Sequence, residues 1–110
     1  INLVRKGMHM AVNEQEGSSK LARAQTIELS GKTGSAEVGP RNNRYVNTWF
    51  IAFGTANGRT YALCVFVEKG MSGGRTCAPL AAAFFNEYLE SDVQTNVPPD
   101  VQSDVQPDAD

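Results

Sequence analysis

The sequence predicts a mixed α/β (α+β) fold, an antiparallel sheet of three strands flanked by an N-terminal and a C-terminal helix. Two nearly continuous apolar runs, residues 48–53 and 61–67, have the length of β-strands. Between them lies Asn57-Gly58, a strong hairpin signal because both residue types tolerate positive φ. Helical spacing of apolar residues precedes and follows this region. Unbroken hydrophobicity on both strands predicts a sheet that is covered on both faces.

The first strand is predicted over residues 26–38, where Gly31 and Gly34 would allow another backbone to approach closely. Before it, a polar break at residues 14–19 leads into a short helical turn over residues 20–24. The N-terminal helix is predicted over residues 2–13. Its apolar face consists of Val4, Met8, Ala11 and Val12.

The C-terminal helix is predicted to begin near Thr76, which can cap it. Pro79 is compatible with this assignment because a proline in the first turn removes no intrahelical hydrogen bond. The predicted apolar stripe of this helix consists of Ala81, Phe85, Tyr88 and Leu89.

Composition divides the chain into a foldable body, residues 1–91, and an acidic low-complexity tail, residues 92–110. All five aspartates lie in the tail, whereas the body holds ten basic residues and seven glutamates. The body is therefore mildly positive, which suits an anionic ligand but is too weak for a nucleic-acid partner. The tail is too poor in apolar residues to fold and is expected to be disordered.

Several function classes are excluded at this stage. The sequence has no apolar run long enough for a membrane span and no export signal, so we expect no membrane contact from this segment. One histidine and two cysteines are too few for a zinc site, and no cofactor is expected. Cys64 and Cys77 are better interpreted as small buried side chains than as a disulfide. The chain opens inside a predicted helix, which suggests the C-terminal portion of a longer polypeptide.

The segment that carries recognisable chemistry is Gly31-Lys32-Thr33-Gly34-Ser35-Ala36-Glu37-Val38. A phosphate-binding loop is a poor interpretation, because the required glycine five positions before Gly31 is Thr26 and Gly39-Pro40 follow where a helix should. An ordinary solvent-exposed strand would be the better interpretation if only Lys32-Thr33-Gly34 matched. More than three residues, however, match the motifs of a known protein family. The further matching segments, in chain order, are 47–53, Val67-Glu68-Lys69-Gly70, Gly73-Gly74 and Ala78-Pro79.

These segments resemble the C-terminal portion of the transpeptidase domain of class B penicillin-binding proteins. Gly7-Met8, Val12-Asn13 and Gly17-Ser18 are also similar to the region before the Lys-Thr-Gly strand in that family. The resemblance covers about residues 5–90 and implies part of the penicillin-binding-protein and serine β-lactamase fold. It further implies a serine D,D-transpeptidase that cross-links peptidoglycan stem peptides, that β-lactams acylate, and that acts outside the cytoplasm.

The resemblance also assigns roles to four residues. Lys32 is expected to be an electrostatic and proton-relay partner of the nucleophile, and the Thr33 and Ser35 hydroxyls to bind the substrate carboxylate. The Ser35 backbone N–H is expected to be one oxyanion donor, and Gly34 to leave room for the ligand. The nucleophile motif Ser-x-x-Lys is absent, since Leu3, Gly17, Leu29 and Phe66 stand three positions before the four lysines.

Without a nucleophile the chain alone is predicted to be inactive. Because an incomplete sheet has an open apolar edge and buries little core, the chain alone is also predicted to be marginally stable or insoluble, and to need the N-terminal part of its own domain. Two alternatives stay open, a serine β-lactamase or β-lactam sensor domain, and a non-catalytic interaction module that retains the fold. Tyr45-Val46-Asn47 resembles the family's Ser-x-Asn motif but follows the Lys-Thr-Gly strand, so it is set aside. Three further features are expected to have packing or solvent roles: Met8-His9-Met10, Arg41 with Arg44, and Glu68.

Overall fold

The computed structural model describes residues 1–95, and side-chain environments through residue 90. The elements in chain order are α1 (Asn2–Asn13), a 3₁₀ turn (Lys20–Ala22), β1 (Glu28–Val38), β2 (Tyr45–Ala56), β3 (Arg59–Val67), a π-helical turn (Gly73–Cys77) and α2 (Ala78–Thr95). The predicted mixed fold of three strands and two flanking helices is confirmed. The predicted tail, residues 92–110, lies outside the described residues except for its first four, which continue α2.

The three strands form one antiparallel sheet in the order β1-β2-β3. β1 pairs with β2 in a continuous register from Glu28↔Thr55 to Val38↔Tyr45. The β2–β3 hairpin turns at Asn57 and Gly58, whose φ angles of 53° and 76° confirm the positive-φ turn expected from Asn-Gly. β2 and β3 extend beyond the apolar runs that predicted them, because backbone pairing continues into polar residues at the strand ends, and β1 begins two residues later than predicted.

One face of the sheet packs against α2 and contains the hydrophobic core. Directly paired residues share a face, so Leu29, Phe50 and Leu63 lie on this side. The core is completed from the helices and the 3₁₀ turn. Its completely or almost completely buried members there are Val12, Ala22, Cys77, Ala78, Ala81, Phe85 and Leu89.

The opposite face of β2 and β3 remains open, so the expectation of a sheet covered on both faces is wrong for the described residues. Ile51 is 44% exposed and Phe66 is 59% exposed, and Cys64 between them is also exposed. The reason lies in the placement of α1, which packs against β1. We call this surface the open face.

Helix α1 lies along the outer edge of the first part of β1. Asn13 Nδ2 donates to the carbonyl oxygen of Leu29 at 2.8 Å, and His9 Nε2 lies 2.9 Å from Glu28 Oε1. Arg23 fixes the end of the helix by donating to the Val12 carbonyl at 3.0 Å. α1 therefore covers the beginning of the β1 edge, where unpaired backbone groups would otherwise be exposed.

The start of α2 differs from the sequence prediction. Ser72, not Thr76, provides the cap, because its Oγ accepts from the Arg75 backbone N–H at 3.1 Å. The Thr76 hydroxyl instead accepts from the Met71 backbone N–H at 2.9 Å. The helical segment begins earlier because the π-helical turn joins α2 directly. In the predicted apolar stripe of α2, Tyr88 is 45% exposed and the other three residues are buried.

Cys64 and Cys77 are both free, as expected, but only Cys77 is buried. The prediction of two buried cysteines is therefore half wrong, because Cys64 lies on the open face of the sheet. Neither helix in the described part of the chain combines the length and apolarity that a membrane crossing requires.

We predict that the two buried hydroxyl residues, Ser19 and Thr48, contribute to stability with opposite signs. Thr48 Oγ1 donates to the Val67 carbonyl at 3.2 Å and lies 3.4 Å from Cys77 Sγ, whereas the buried Ser19 Oγ has no partner among the described residues. Thr48→Val should lower the free energy of unfolding by about 1–2 kcal/mol, and Ser19→Ala should leave it unchanged or raise it by about 1 kcal/mol.

The measurement is urea denaturation of the chain followed by tryptophan fluorescence, in a sulfate buffer that strengthens folding. The exposed Ser18 provides the control, since Ser18→Ala removes a hydroxyl from the surface of the same loop. Equal losses for Ser19→Ala and Thr48→Val would show that the Ser19 hydroxyl has a partner.

Candidate functional site

Three segments converge beside the edge of β1 and enclose a groove of about 420 Å³. They are residues 17–21, residues 33–35 of β1, and residues 72–75 at the π-helical turn. The residues that line the groove are Gly17, Ser18, Lys20, Leu21, Thr33, Ser35, Ser72, Gly73, Gly74 and Arg75. The Thr33 and Ser35 side chains belong to it because both lie on the α2 side of the sheet.

Two glycines allow the segment 72–75 to reach this position. A Cβ on Gly73 would lie 2.5 Å from the Trp49 carbonyl oxygen and 2.9 Å from Thr33 Cβ. A Cβ on Gly74 would lie 2.4 Å from the Ser18 carbonyl oxygen. Because real Cβ atoms do not approach backbone atoms so closely, only glycine lets this segment lie directly between β1 and the 17–21 segment.

The backbone N–H of Ser35 points to the unpaired edge of β1 and not toward β2. In an antiparallel pair, alternate residues turn their N–H and C=O groups toward the partner strand and the others turn them away. The carbonyls of Leu29 and Thr33 accept from side chains outside the sheet, at 2.8 and 2.7 Å. Since the register is continuous, Ser35, two residues after Thr33, also turns its N–H outward, on a stretch of edge that no described strand covers.

The side chain of Lys32 leaves the strand on the face opposite the Thr33 and Ser35 side chains, because Lys32 pairs with Ile51 on the open face. Its side chain is exposed, and its ammonium returns to the edge of β1, where Nζ donates to the Thr33 carbonyl at 2.7 Å. The edge thus presents a cation, an outward amide and, on its other side, two hydroxyls. The structure brings Thr33 and Ser35 together in the groove and places Lys32 beside it.

The two glycines of β1 accommodate aromatic rings of β2, and Gly31 also allows the close backbone approach that the sequence suggested, because its Cβ would lie 2.8 Å from the Ile51 carbonyl oxygen. A Cβ on Gly34 would lie 2.2 Å from the indole of Trp49, and one on Gly31 would lie 2.3 Å from the ring of Phe50. The two rings lie on opposite faces of the sheet. Gly34 consequently faces away from the groove, and its role in leaving room for a ligand stays a prediction.

Sequence reasoning missed the basic residues of the groove. Lys20 and Arg75 both line it, and in residues 1–90 neither side chain forms an ion pair. Among the residues whose side chains the structure describes, none that lines the groove is acidic. A usable indication was present in the sequence, because Arg75 directly follows Gly73-Gly74, which matched the family pattern.

The features set aside in the sequence lie away from the groove. Asn47 is at the beginning of β2, where its Oδ1 accepts from the Lys69 backbone N–H at 3.4 Å. Arg44 lies 3.6 Å from Glu37 in an exposed ion pair. His9 contacts Glu28, and within the described residues no cluster of three metal-ligating side chains occurs.

Fold and groove together define a class of α/β domains in which a Lys-Thr-Gly edge strand forms one side of an open groove. A sequence profile of the penicillin binding protein transpeptidase domain matches residues 1–90. The chain belongs to this family, as its sequence motifs predicted. The family is one of acyl-transfer enzymes of the cell wall.

The fold is also that of a solved member of the family. The chain is similar to the apo structure of the TP domain of penicillin-binding protein 3 from Burkholderia pseudomallei, with a TM-score of 0.63 and 24% identity. The match covers 86% of this chain and 30% of that one, so this chain spans less than a third of the length of its structural relative. A search among curated proteins found no match.

We predict that Gly34 and Gly7 respond in opposite directions to the same substitution. Gly34→Ala should lower the free energy of unfolding by about 1–3 kcal/mol, because the added methyl group meets the Trp49 indole. Gly7→Ala should raise it by about 1 kcal/mol, because this position is inside α1 and has nothing within 4 Å of the new Cβ.

Both effects can be measured by urea denaturation of the chain followed by far-UV circular dichroism, a signal that does not depend on Trp49. The loss caused by Gly34→Ala should shrink in a Trp49→Leu background, which removes the ring that clashes. An undiminished loss in that background would indicate a different cause.

Proposed function

We propose that this chain provides one side of the active site of a serine D,D-transpeptidase of the class B penicillin-binding proteins. Such an enzyme cross-links peptidoglycan stem peptides through an acyl-enzyme, on the outer side of the cytoplasmic membrane. The observation that carries the proposal is the edge of β1, where an ammonium, an outward amide and two hydroxyls meet at an open groove. Membership of the transpeptidase family supports the same chemistry.

The proposed roles follow from charge and hydrogen-bonding capacity. The Thr33 and Ser35 hydroxyls donate to the carboxylate at the end of the peptide substrate or to that of a β-lactam. The outward Ser35 N–H stabilises the negative oxygen that forms when the substrate carbonyl is attacked, and one such donor is worth about 3 kcal/mol. The substrate backbone aligns with the open edge of β1 as an added strand.

Lys32 has an electrostatic role in this proposal. Its ammonium lies at the edge of β1, beside the position where the attacked carbonyl is held. From there it can favour the ionised form of a neighbouring serine and exchange a proton with it. The serine nucleophile itself comes from outside this chain, because no lysine here has a serine three positions before it.

The open face and the outer edge of β3 are proposed contact surfaces for the N-terminal part of the same domain. Ile51 and Phe66 expose large apolar side chains on that face, and Met8, Phe53 and Cys64 line an adjoining hollow of about 500 Å³. No described strand pairs with the outer edge of β3. Burial of such surfaces contributes roughly 25 cal/mol per Å², so the rest of the domain would stabilise this part substantially.

We predict that the natural protein containing this chain is labelled covalently by a fluorescent penicillin, and that Lys32→Ala slows labelling roughly 100-fold or more. The comparison is the acylation rate constant, measured by gel fluorescence over time. Lys6→Ala is the control, because Lys6 is an exposed lysine of α1 and should leave the rate unchanged. The 110-residue chain alone should not be labelled. Unchanged labelling after Lys32→Ala would refute the role given to the lysine.

We further predict that the 110-residue chain is marginally stable and associates in dilute buffer through its open face and β3 edge. Phe66→Lys, on the open face, should reduce light scattering and leave the far-UV circular dichroism spectrum intact. Leu63→Lys is the matched variant because Leu63 lies on the core side of the same strand, and it should unfold the chain. A wild-type chain that is monomeric with a cooperative, high urea midpoint would contradict this prediction.

A further inference from the structure

Two positively charged residues line the groove, Lys20 and Arg75, and the proposed chemistry uses neither of them. Arg75 lines the groove together with Thr33 and Ser35. We propose that Arg75 is a specificity-determining residue, whose guanidinium supplies the positive charge for the substrate carboxylate bound by the Thr33 and Ser35 hydroxyls. This inference rests on the proposed function, since it concerns the ligand of the same site.

The first argument concerns charge balance. Two hydroxyls can hydrogen-bond a carboxylate but cannot neutralise it, and hydrogen bonds to a charged donor are about twice as strong as neutral ones. The Lys32 ammonium is occupied by the Thr33 carbonyl and is assigned to the reacting serine. The groove therefore needs another cation for its carboxylate, and Arg75 is available because it forms no ion pair within residues 1–90.

The second argument is that the backbone of Arg75 is held firmly against the site. Its N–H donates to Ser72 Oγ at 3.1 Å, and the Thr76 N–H donates to the Ser72 carbonyl at 2.8 Å. Gly73, two residues before, lies against Thr33 itself. The Arg75 backbone is thus fixed beside the strand that carries the hydroxyls, so anion binding has to order only the side chain and not the loop.

The third argument is the absence of competing acids. Among the described residues, the nearest acids along β1 are already paired, Glu28 with His9 and Glu37 with Arg44. No carboxylate from residues 1–90 lines the groove. A ligand carboxylate would consequently meet Arg75 without displacing an internal partner. Lys20 also lines the groove, but a lysine cannot offer the paired N–H groups that match a carboxylate.

The test uses the natural protein that contains this chain and two probes, benzylpenicillin and its methyl ester. The acylation rate constant is measured for the wild type and for Arg75→Gln, Arg75→Lys, Lys20→Gln and Arg41→Gln. Arg41 is the matched control because it is an exposed arginine outside the groove.

Arg75→Gln should lower the second-order rate constant for benzylpenicillin about 3- to 10-fold, a modest factor because Arg75 is exposed and screened by solvent. The limiting rate at saturating probe should not change, and the loss should shrink at high salt. Reaction with the methyl ester, which lacks the charge, should change less than 2-fold. Arg75→Lys should recover part of the loss, and Arg41→Gln should match the wild type with both probes.

The inference is overturned if Arg75→Gln behaves like Arg41→Gln, if it slows the acid and the ester equally, or if Lys20→Gln has the larger effect. In all three cases the wild type still reacts with penicillin and the proposed function stands. A wild-type protein that no penicillin acylates would overturn the proposed function instead.

Discussion

The register between β1 and β2 is the constraint on which the rest of the structure depends. It places Thr33 and Ser35 on the side of α2 and the groove, and Lys32 and Gly34 on the side of the open face. A shift of one residue would exchange the two sets. The register is held by packing, because Phe50 lies over Gly31 and Trp49 over Gly34 on opposite faces. Two aromatic rings thereby determine which side chains a ligand meets.

Local patterns in the sequence were sufficient to predict the helices, the strands and the family. The Asn57-Gly58 turn depends on neighbouring residues along the chain, so the dipeptide alone predicts it. The predicted apolar face of α1 is only partly correct, because Val12 is buried whereas Val4 is 65% exposed. Long-range packing could not be predicted in the same way. The contacts of Gly31 and Gly34 with aromatic rings depend on strand pairing, and the cap at Ser72 depends on a π-helical turn that periodicity does not indicate.

The sequence predicted the candidate site only where the site residues are close neighbours along the chain. Thr33 and Ser35 share a groove because residues two apart on a strand share a face. Ser18 and Arg75, in contrast, lie 15 and 42 positions away from Thr33 along the chain, and only the close approach of Gly73 and Gly74 brings them together. The open face could not be foreseen either, because apolar strands indicate burial without indicating which part of the polypeptide covers them.

The position of Trp49 has a spectroscopic consequence. It is the sole tryptophan of the chain, and its indole rests on Gly34 in the strand that carries the Lys-Thr-Gly motif. Its emission therefore reports from the back of that strand, so a ligand that displaces β1 would change the wavelength or intensity of the emitted light. Ligand binding in the groove could therefore be followed by the intrinsic fluorescence of Trp49, without attaching a dye.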